Sequence, residues 1–117
     1  MVPGDYDKVY ALWKSIKGFG IRSVDDSREG VEAFLQRNPT TSVVAIENDE
    51  IVGSILCGYD GRYGYMYHVC VKEELRRKGI GKQMVVFCMR ALSLAYLKLQ
   101  TLRLYILRSF LVKSQKS

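Results

Sequence analysis

Between Val71 and Val85 the chain reads VKEELRRKGIGKQMV, with Arg76, Arg77, Lys78 and Lys82 gathered around Gly79 and Gly81. Glycine lets a backbone approach a ligand closely or take left-handed angles. The cations attract negative charge. If an apolar strand enters this turn and a helix leaves it, several main-chain N–H groups point one way, backed by the positive end of the helix dipole. Such a turn holds phosphate. A nucleotide-hydrolysing loop, G-x-x-x-x-G-K-[ST], is disfavoured: Arg76 stands at its first glycine and Gln83 at its magnesium-binding hydroxyl. A dinucleotide fingerprint would need glycine where Met84 stands and an acid about 20 residues further on. No acid follows Glu74.

Other side chains with chemical capacity lie just upstream. His68 is the only histidine, and an ordinary imidazole can accept a proton near neutral pH. A packed or surface histidine is the more common outcome for one ring in an aromatic strand. Tyr59, Tyr63, Tyr65 and Tyr67 could line a substrate groove, although strand propensity also accounts for them. Cys57, Cys70 and Cys88 are an odd set without Cys-x-x-Cys spacing, each in an apolar run. They predict buried free thiols, a reducing cytoplasmic setting and no metal site.

The elements that must position these residues follow from periodicity. Asp5 is expected to cap a first helix bearing Val9, Leu12, Trp13 and Ile16, ended by Gly18 and Gly20. Ser27 starts a second helix with Val31, Phe34 and Leu35, in which Gly30 is a weak point and which Asn38-Pro39 stops. Three strands follow at 41–47, 50–59 and 63–72. Asn48-Asp49 and Asp60-Gly61-Arg62 join them as tight turns, so neighbours run antiparallel. Val43, Val44, Ala45 and Ile46 leave neither face of the first strand polar, as in a sheet covered on both sides. After the glycine turn, Ile80, Met84, Phe87, Cys88, Ala91, Ala95 and Leu99 form a helical stripe, with Met84, Phe87, Cys88 and Ala91 as core. The alternation in 101–110 then predicts a strand parallel to the third, with a longer helix as the alternative.

The length of 117 residues predicts a single domain. Up to Glu74 the chain holds 12 acids and 8 Lys/Arg; beyond it there are 10 Lys/Arg and no acid. The second part should attract an anion: nucleic acid, an anionic membrane or a phosphorylated small molecule. Arg90, Lys98, Arg103 and Arg108 leave no uncharged run longer than seven residues between 84 and 112, against the ~20 a membrane span needs. The N-terminus carries no apolar signal region. Phe87, Tyr96, Tyr105 and Phe110 sit among leucines rather than interleaving with cations. Nucleic acid is therefore the less favoured partner.

The pattern [Q/R]-x-x-G-x-[G/A], met by Arg76-Arg77-Lys78-Gly79-Ile80-Gly81, stands after a β-meander and before a long helix. In that order, with two helices ahead of it, the stretch from about Gly4 to about Ala91 resembles the GNAT superfamily of acyl-CoA-dependent N-acyltransferases. The resemblance implies a mixed α/β (α+β) fold. It implies that the main chain of Arg76, Arg77, Lys78, Gly79, Ile80, Gly81 and Lys82 holds the pyrophosphate of acetyl-CoA, the donor. It also implies that Val69, Cys70 and Val71 pair through their backbone with pantetheine beside a bulge. A primary amine, on a small molecule or a peptide, then attacks the thioester directly, with His68 the candidate catalytic residue. Cys70 is expected to be a buried filler.

The family's first strand, and its C-terminal helix with Asn and Tyr and closing hairpin, are missing from the pattern. A shortened or altered stretch beyond about residue 91, retaining cofactor affinity with poor turnover, is one expectation. A homodimer through an exposed apolar tail is another. A nonenzymatic basic nucleic-acid-binding or self-associating module is the alternative function.

Overall fold

The structure, a computed structural model, describes residues 1–95 and the backbone of 103–106. Helix α1 (Tyr6–Ser15) buries Val9, Leu12 and Trp13 along one face, as their spacing requires. Asp5 precedes α1 but does not cap it with its side chain. Pro3, whose φ is already helical, opens a 3-10 turn over Pro3–Asp5, and the Asp5 carboxylate accepts from Val2 N–H at 2.9 Å.

Helix α2 (Arg28–Arg37) is capped as its sequence predicts: Ser27 Oγ accepts from Gly30 N–H at 3.0 Å. Asn38 closes it, donating through Nδ2 to the Phe34 carbonyl and accepting from Tyr59 N–H. Gly30 proves to be required rather than weak. A Cβ there would meet the carbonyl oxygens of Val24 and Asp25, each at 2.5 Å, so glycine lets the α1–α2 loop lie against the helix.

Strands β1 (Val43–Glu47), β2 (Glu50–Tyr59) and β3 (Tyr63–Val71) form the antiparallel meander, joined to β4 (Arg103–Ile106) in the order β1-β2-β3-β4. Asn48 and Asp49, at φ 52° and 62°, provide the left-handed pair that a two-residue hairpin turn demands. After helix α3 (Ile80–Ala95) the chain returns and β4 pairs parallel to β3, from Tyr63 with Arg103 to Met66 with Ile106. The rest of the expected strand 101–110, together with Leu99, Tyr96, Arg108, Phe110 and the basic end, lies outside the described residues.

Two cores lie on opposite faces of the sheet. Tyr6, Val9, Leu12, Trp13, Val31 and Leu35 of the helical pair meet Leu56 and Cys70 on one face. On the other, Met84, Cys88 and Leu92 of α3 meet Ile55, Cys57, Met66, Val69 and Val71. The buried line of α3 is Gly81, Met84, Cys88 and Leu92. Phe87, expected in the core, is 50% exposed, because one residue from Cys88 turns the side chain by about 100° around the helix. Ala95 is exposed as well. On β1, Val43 and Ala45 pack toward α3 and Val44 toward α1. Ile46, just past a register shift after Ala45, is exposed, so this strand is covered on both faces only as far as Ala45.

Candidate active site

The pairing of β2 with β3 slips by one residue. Leu56 faces Tyr67 and Ser54 faces Cys70, so Ile55 spans both His68 and Val69. This is a β-bulge. At its crest His68 adopts φ 52°, a left-handed angle that histidine tolerates better than most side chains. Strict alternation would send Tyr67 and His68 to opposite faces. The bulge sends both toward the helical pair, where Tyr67 packs against that core and His68 lies beside Trp13.

His68 is buried, and its Nε2 lies 2.8 Å from Asp26 Oδ1. Trp13 and Phe19 flank the ring at centroid distances of 4.7 and 4.8 Å. Burial pushes the imidazole pKa below its ordinary value, and the hydrogen bond and charge of Asp26 only partly oppose this. The ring is thus neutral near pH 7 and able to accept a proton. Val69, Cys70 and Val71 follow directly. Toward β4, the described pairing of β3 runs from Tyr63 with Arg103 to Met66 with Ile106, two residues short of the bulge.

The glycine turn continues from that strand end. Arg77 and Gly79 take φ 68° and 81°, bending the chain into the first turn of α3. The first helical donor there is Gln83, bonded to the Gly79 carbonyl at 3.0 Å. The N–H groups of Ile80, Gly81 and Lys82 therefore precede the ladder and are the orphan donors of a helix start. A Cβ placed on Gly79 would meet nothing within 4 Å, so the space above the turn is open to a ligand. Arg77, Lys78 and Lys82 are exposed around it.

Arg76 differs from the other cations. Its Nε donates to the Val71 carbonyl at 3.1 Å and its Nη1 lies 3.9 Å from Glu73 Oε1, with 15% of the side chain exposed. It braces the strand end to the turn rather than joining the exposed cationic rim. Its Nη2 is buried with no partner among the described residues. Cys70 is a filler as expected: it is buried against Ser54 Oγ at 3.4 Å, and burial pushes its thiol up to about 11. Ser54 Oγ also accepts from Trp13 Nε1 at 3.0 Å, which ties α1 to the sheet beneath the bulge. Tyr63, Tyr65 and Tyr67 form a half-buried ladder along β3 with ring centroids 6.4 and 6.0 Å apart. A cleft of about 300 Å³ lined by Lys8, Leu12, Glu50 and Lys72 lies elsewhere on α1 and includes neither His68 nor the glycine turn.

Asp26, Trp13 and Phe19 are site residues that the sequence did not disclose. Asp26 lies 42 positions from the ring it contacts. Its only local signal is an acid ahead of the Ser27 cap, which is common at helix starts. No group of three or more His, Cys, Asp or Glu able to hold a metal occurs among the described residues, and no helix among them is long and apolar enough to cross a membrane.

Known proteins share this fold and stretches of this sequence. An acetyltransferase of Pectobacterium atrosepticum is 33% identical over 81 residues, covering 69% of this chain and 56% of the relative. The chain thus spans about half the length of the curated relatives it matches. PaiA N-acetyltransferase of Thermoplasma acidophilum, solved with coenzyme A, superimposes with a TM-score of 0.70 at 16% identity, over 92% of this chain and 77% of that one. Diaminobutyrate acetyltransferase of Paenibacillus lautus, solved with L-2,4-diaminobutyric acid and coenzyme A, gives 0.64 at 22% identity, over 77% and 54%. The profile of the Acetyltransferase (GNAT) family matches residues 6–105. A bulged strand running into a glycine turn and helix, and a family match across most of its length, make this chain a member of the GNAT acetyltransferase family.

Proposed function

We propose that residues 1–117 form a single N-acetyltransferase domain that moves the acetyl group of acetyl-CoA to a primary amine on a small molecule or peptide. The observation that carries this reading is the continuity from the bulge at His68, through Val69–Val71, to the open turn above Gly79. The main chain of Arg76–Lys82 would hold the pyrophosphate through the orphan N–H groups that open α3. Exposed Arg77, Lys78 and Lys82 add a positive field. The backbone of Val69, Cys70 and Val71 would take pantetheine as an added strand, which orients the thioester beside the bulge. The amine nitrogen forms the N–C bond, the C–S bond breaks, and coenzyme A leaves as a thiolate that takes a proton from solvent. His68 takes the proton that the amine gives up. Relatives of this fold solved with coenzyme A, one of them also with an amine substrate, support the choice of donor and acceptor classes.

Nucleic-acid binding has no comparable support. The tyrosine ladder lies on β3 near Asp25 and Asp60, whose charges act on Tyr67. Three free buried cysteines support a cytoplasmic setting. The exposed Phe87 and Leu94 on α3 support a homodimer, which sedimentation would test.

Calorimetric titration with acetyl-CoA, coenzyme A and 3′-dephospho-coenzyme A tests the donor site, in the natural chain and in Gly79→Asp. Aspartate accepts left-handed angles better than most residues, so this variant strains the turn least while adding a carboxylate to the space where the phosphate is proposed to sit. Binding should be lost in the variant. Gly81 is less suitable, since it is buried in α3 and a side chain there would test packing. Equal affinity in both proteins, or no heat with any of the three ligands, would refute the donor assignment.

A further inference from the structure

We propose that Asp26 is a positioning residue: it holds His68 in the Nε2–H tautomer, so that Nδ1 takes the proton from the attacking amine. This rests on the N-acetyltransferase reading above and adds a contact that reading did not use. The side chains of His68 and Asp26 are only 6% and 4% exposed. An ionised carboxylate can only accept hydrogen bonds. With Oδ1 at 2.8 Å from Nε2, the ring proton belongs on Nε2 and the lone pair of the neutral ring on Nδ1.

The carboxylate is itself anchored. Its Oδ2 accepts from Arg22 N–H at 2.7 Å, and its own N–H donates to the Arg22 carbonyl at 3.0 Å. Its carbonyl accepts the Tyr6 hydroxyl at 2.7 Å. Both ends of the contact are thus fixed by backbone, at one side through the α1–α2 loop and at the other through the bulge. Trp13 and Phe19 confine the ring between them. Charged groups acting on it include Asp26 and Arg22, both from that loop. Trp13 and Phe19 do not ionise, and burial holds Tyr67 and Cys70 of β3 in their neutral forms. A buried acid–base pair is weak evidence for stability in itself. One that sets a tautomer at a bulge leading directly into Val69, Cys70 and Val71 has a use in moving a proton. Nδ1 is itself buried, so the amine reaches it only where the surroundings of the ring admit substrate; the imidazolium that forms is stabilised by Asp26 and passes the proton on to solvent.

Because His68 is the only histidine, long-range proton–nitrogen NMR of the labelled full chain reads its tautomer without ambiguity. The expected result with acetyl-CoA at about pH 8 is a protonated Nε2 and an unprotonated Nδ1. In Asp26→Asn the amide can donate to Nε2, so the tautomer should invert or become mixed. Coenzyme A release is followed with L-2,4-diaminobutyrate, spermidine and an alanine-terminated peptide as amine probes. In the variant kcat/KM for the amine should fall at least about tenfold, while KM for acetyl-CoA holds. The acid limb of the pH profile should move to lower pH, because both influences that raise the ring's pKa are weakened. Asp26→Glu should recover part of the rate.

A wild-type ring protonated on Nδ1 overturns the proposal. So does an Asp26→Asn variant with unchanged tautomer and unchanged acid limb. If acetyl-CoA binds but no probe is acetylated, the acetyl-transfer reading fails, and the wild-type tautomer alone decides whether Asp26 orients the ring. A variant that does not fold leaves that wild-type measurement decisive.

Discussion

His68 combines a left-handed backbone, burial and a carboxylate partner, and its titration should be legible in the stability of the fold. The unfolded ring titrates at about pH 6.5; burial keeps the folded ring below that. Between the two values the unfolded chain binds more protons, so this contribution is complete above about 6.5 and is lost as pH falls toward the folded value. Urea unfolding should therefore show the natural chain losing stability as pH falls below about 6.5, and His68→Gln should lower stability yet flatten that slope. Equal slopes would mean that the ring titrates alike in both states. Burial of Cys70 has the opposite consequence for reactivity. A thiol pushed up to about 11 is a packed side chain and no nucleophile near neutral pH.

At the scale of elements, the decisive contacts join the helical pair to the sheet. Trp13 reaches Ser54 from α1, Asn38 reaches Tyr59 from the end of α2, and the loop between the helices reaches the bulge through Asp26. Gly30 holds that loop in place by having no side chain. Alanine would gain up to about 1 kcal/mol in helix propensity, but its Cβ would strike two backbone carbonyls, and relief of such overpacking typically costs ~1–3 kcal/mol. Gly30→Ala should therefore lower the denaturation midpoint, and the displaced loop should expose His68 to solvent. Denaturant melts, together with the His68 ring resonances, would check both effects. A variant as stable as the natural chain with unshifted resonances would mean that the loop can move away at little cost.

Across the whole molecule, charge and architecture cooperate at the end of the sheet where β3 meets α3. The acids are concentrated before the glycine turn and the unbalanced cations from it onward; of these, Arg77, Lys78 and Lys82 are exposed around the turn and would give the proposed donor an attractive field on approach. Exposed cations are screened by salt whereas main-chain donors at close range are screened far less. Raising KCl from about 0.05 M to about 0.5 M should weaken acetyl-CoA binding by several-fold without abolishing it. Titrations across the series measure the slope, and Lys78→Glu should make it shallower. Affinity independent of salt would assign the recognition to the turn's backbone alone.

Much of the architecture was legible locally. Alternation and turn residues place β2 at 50–59, where the structure has it, because hairpin angles are imposed by Asn48, Asp49 and Gly61 themselves. Ser27 and Asn38 bound α2 through bonds made within a few residues. The glycine turn was legible too, since its shape depends on positive φ at Gly79 and on the helix start beside it. Phe87 was misplaced because apolarity does not tell which side of a helix the sheet will take when nearly every side is apolar. Tertiary structure alone decided the partnership of Asp26 with His68. A bulge turned the histidine toward the helices, and a loop folded over Gly30 brought the acid to it, so the contact spans 42 residues and leaves no periodic trace in the chain.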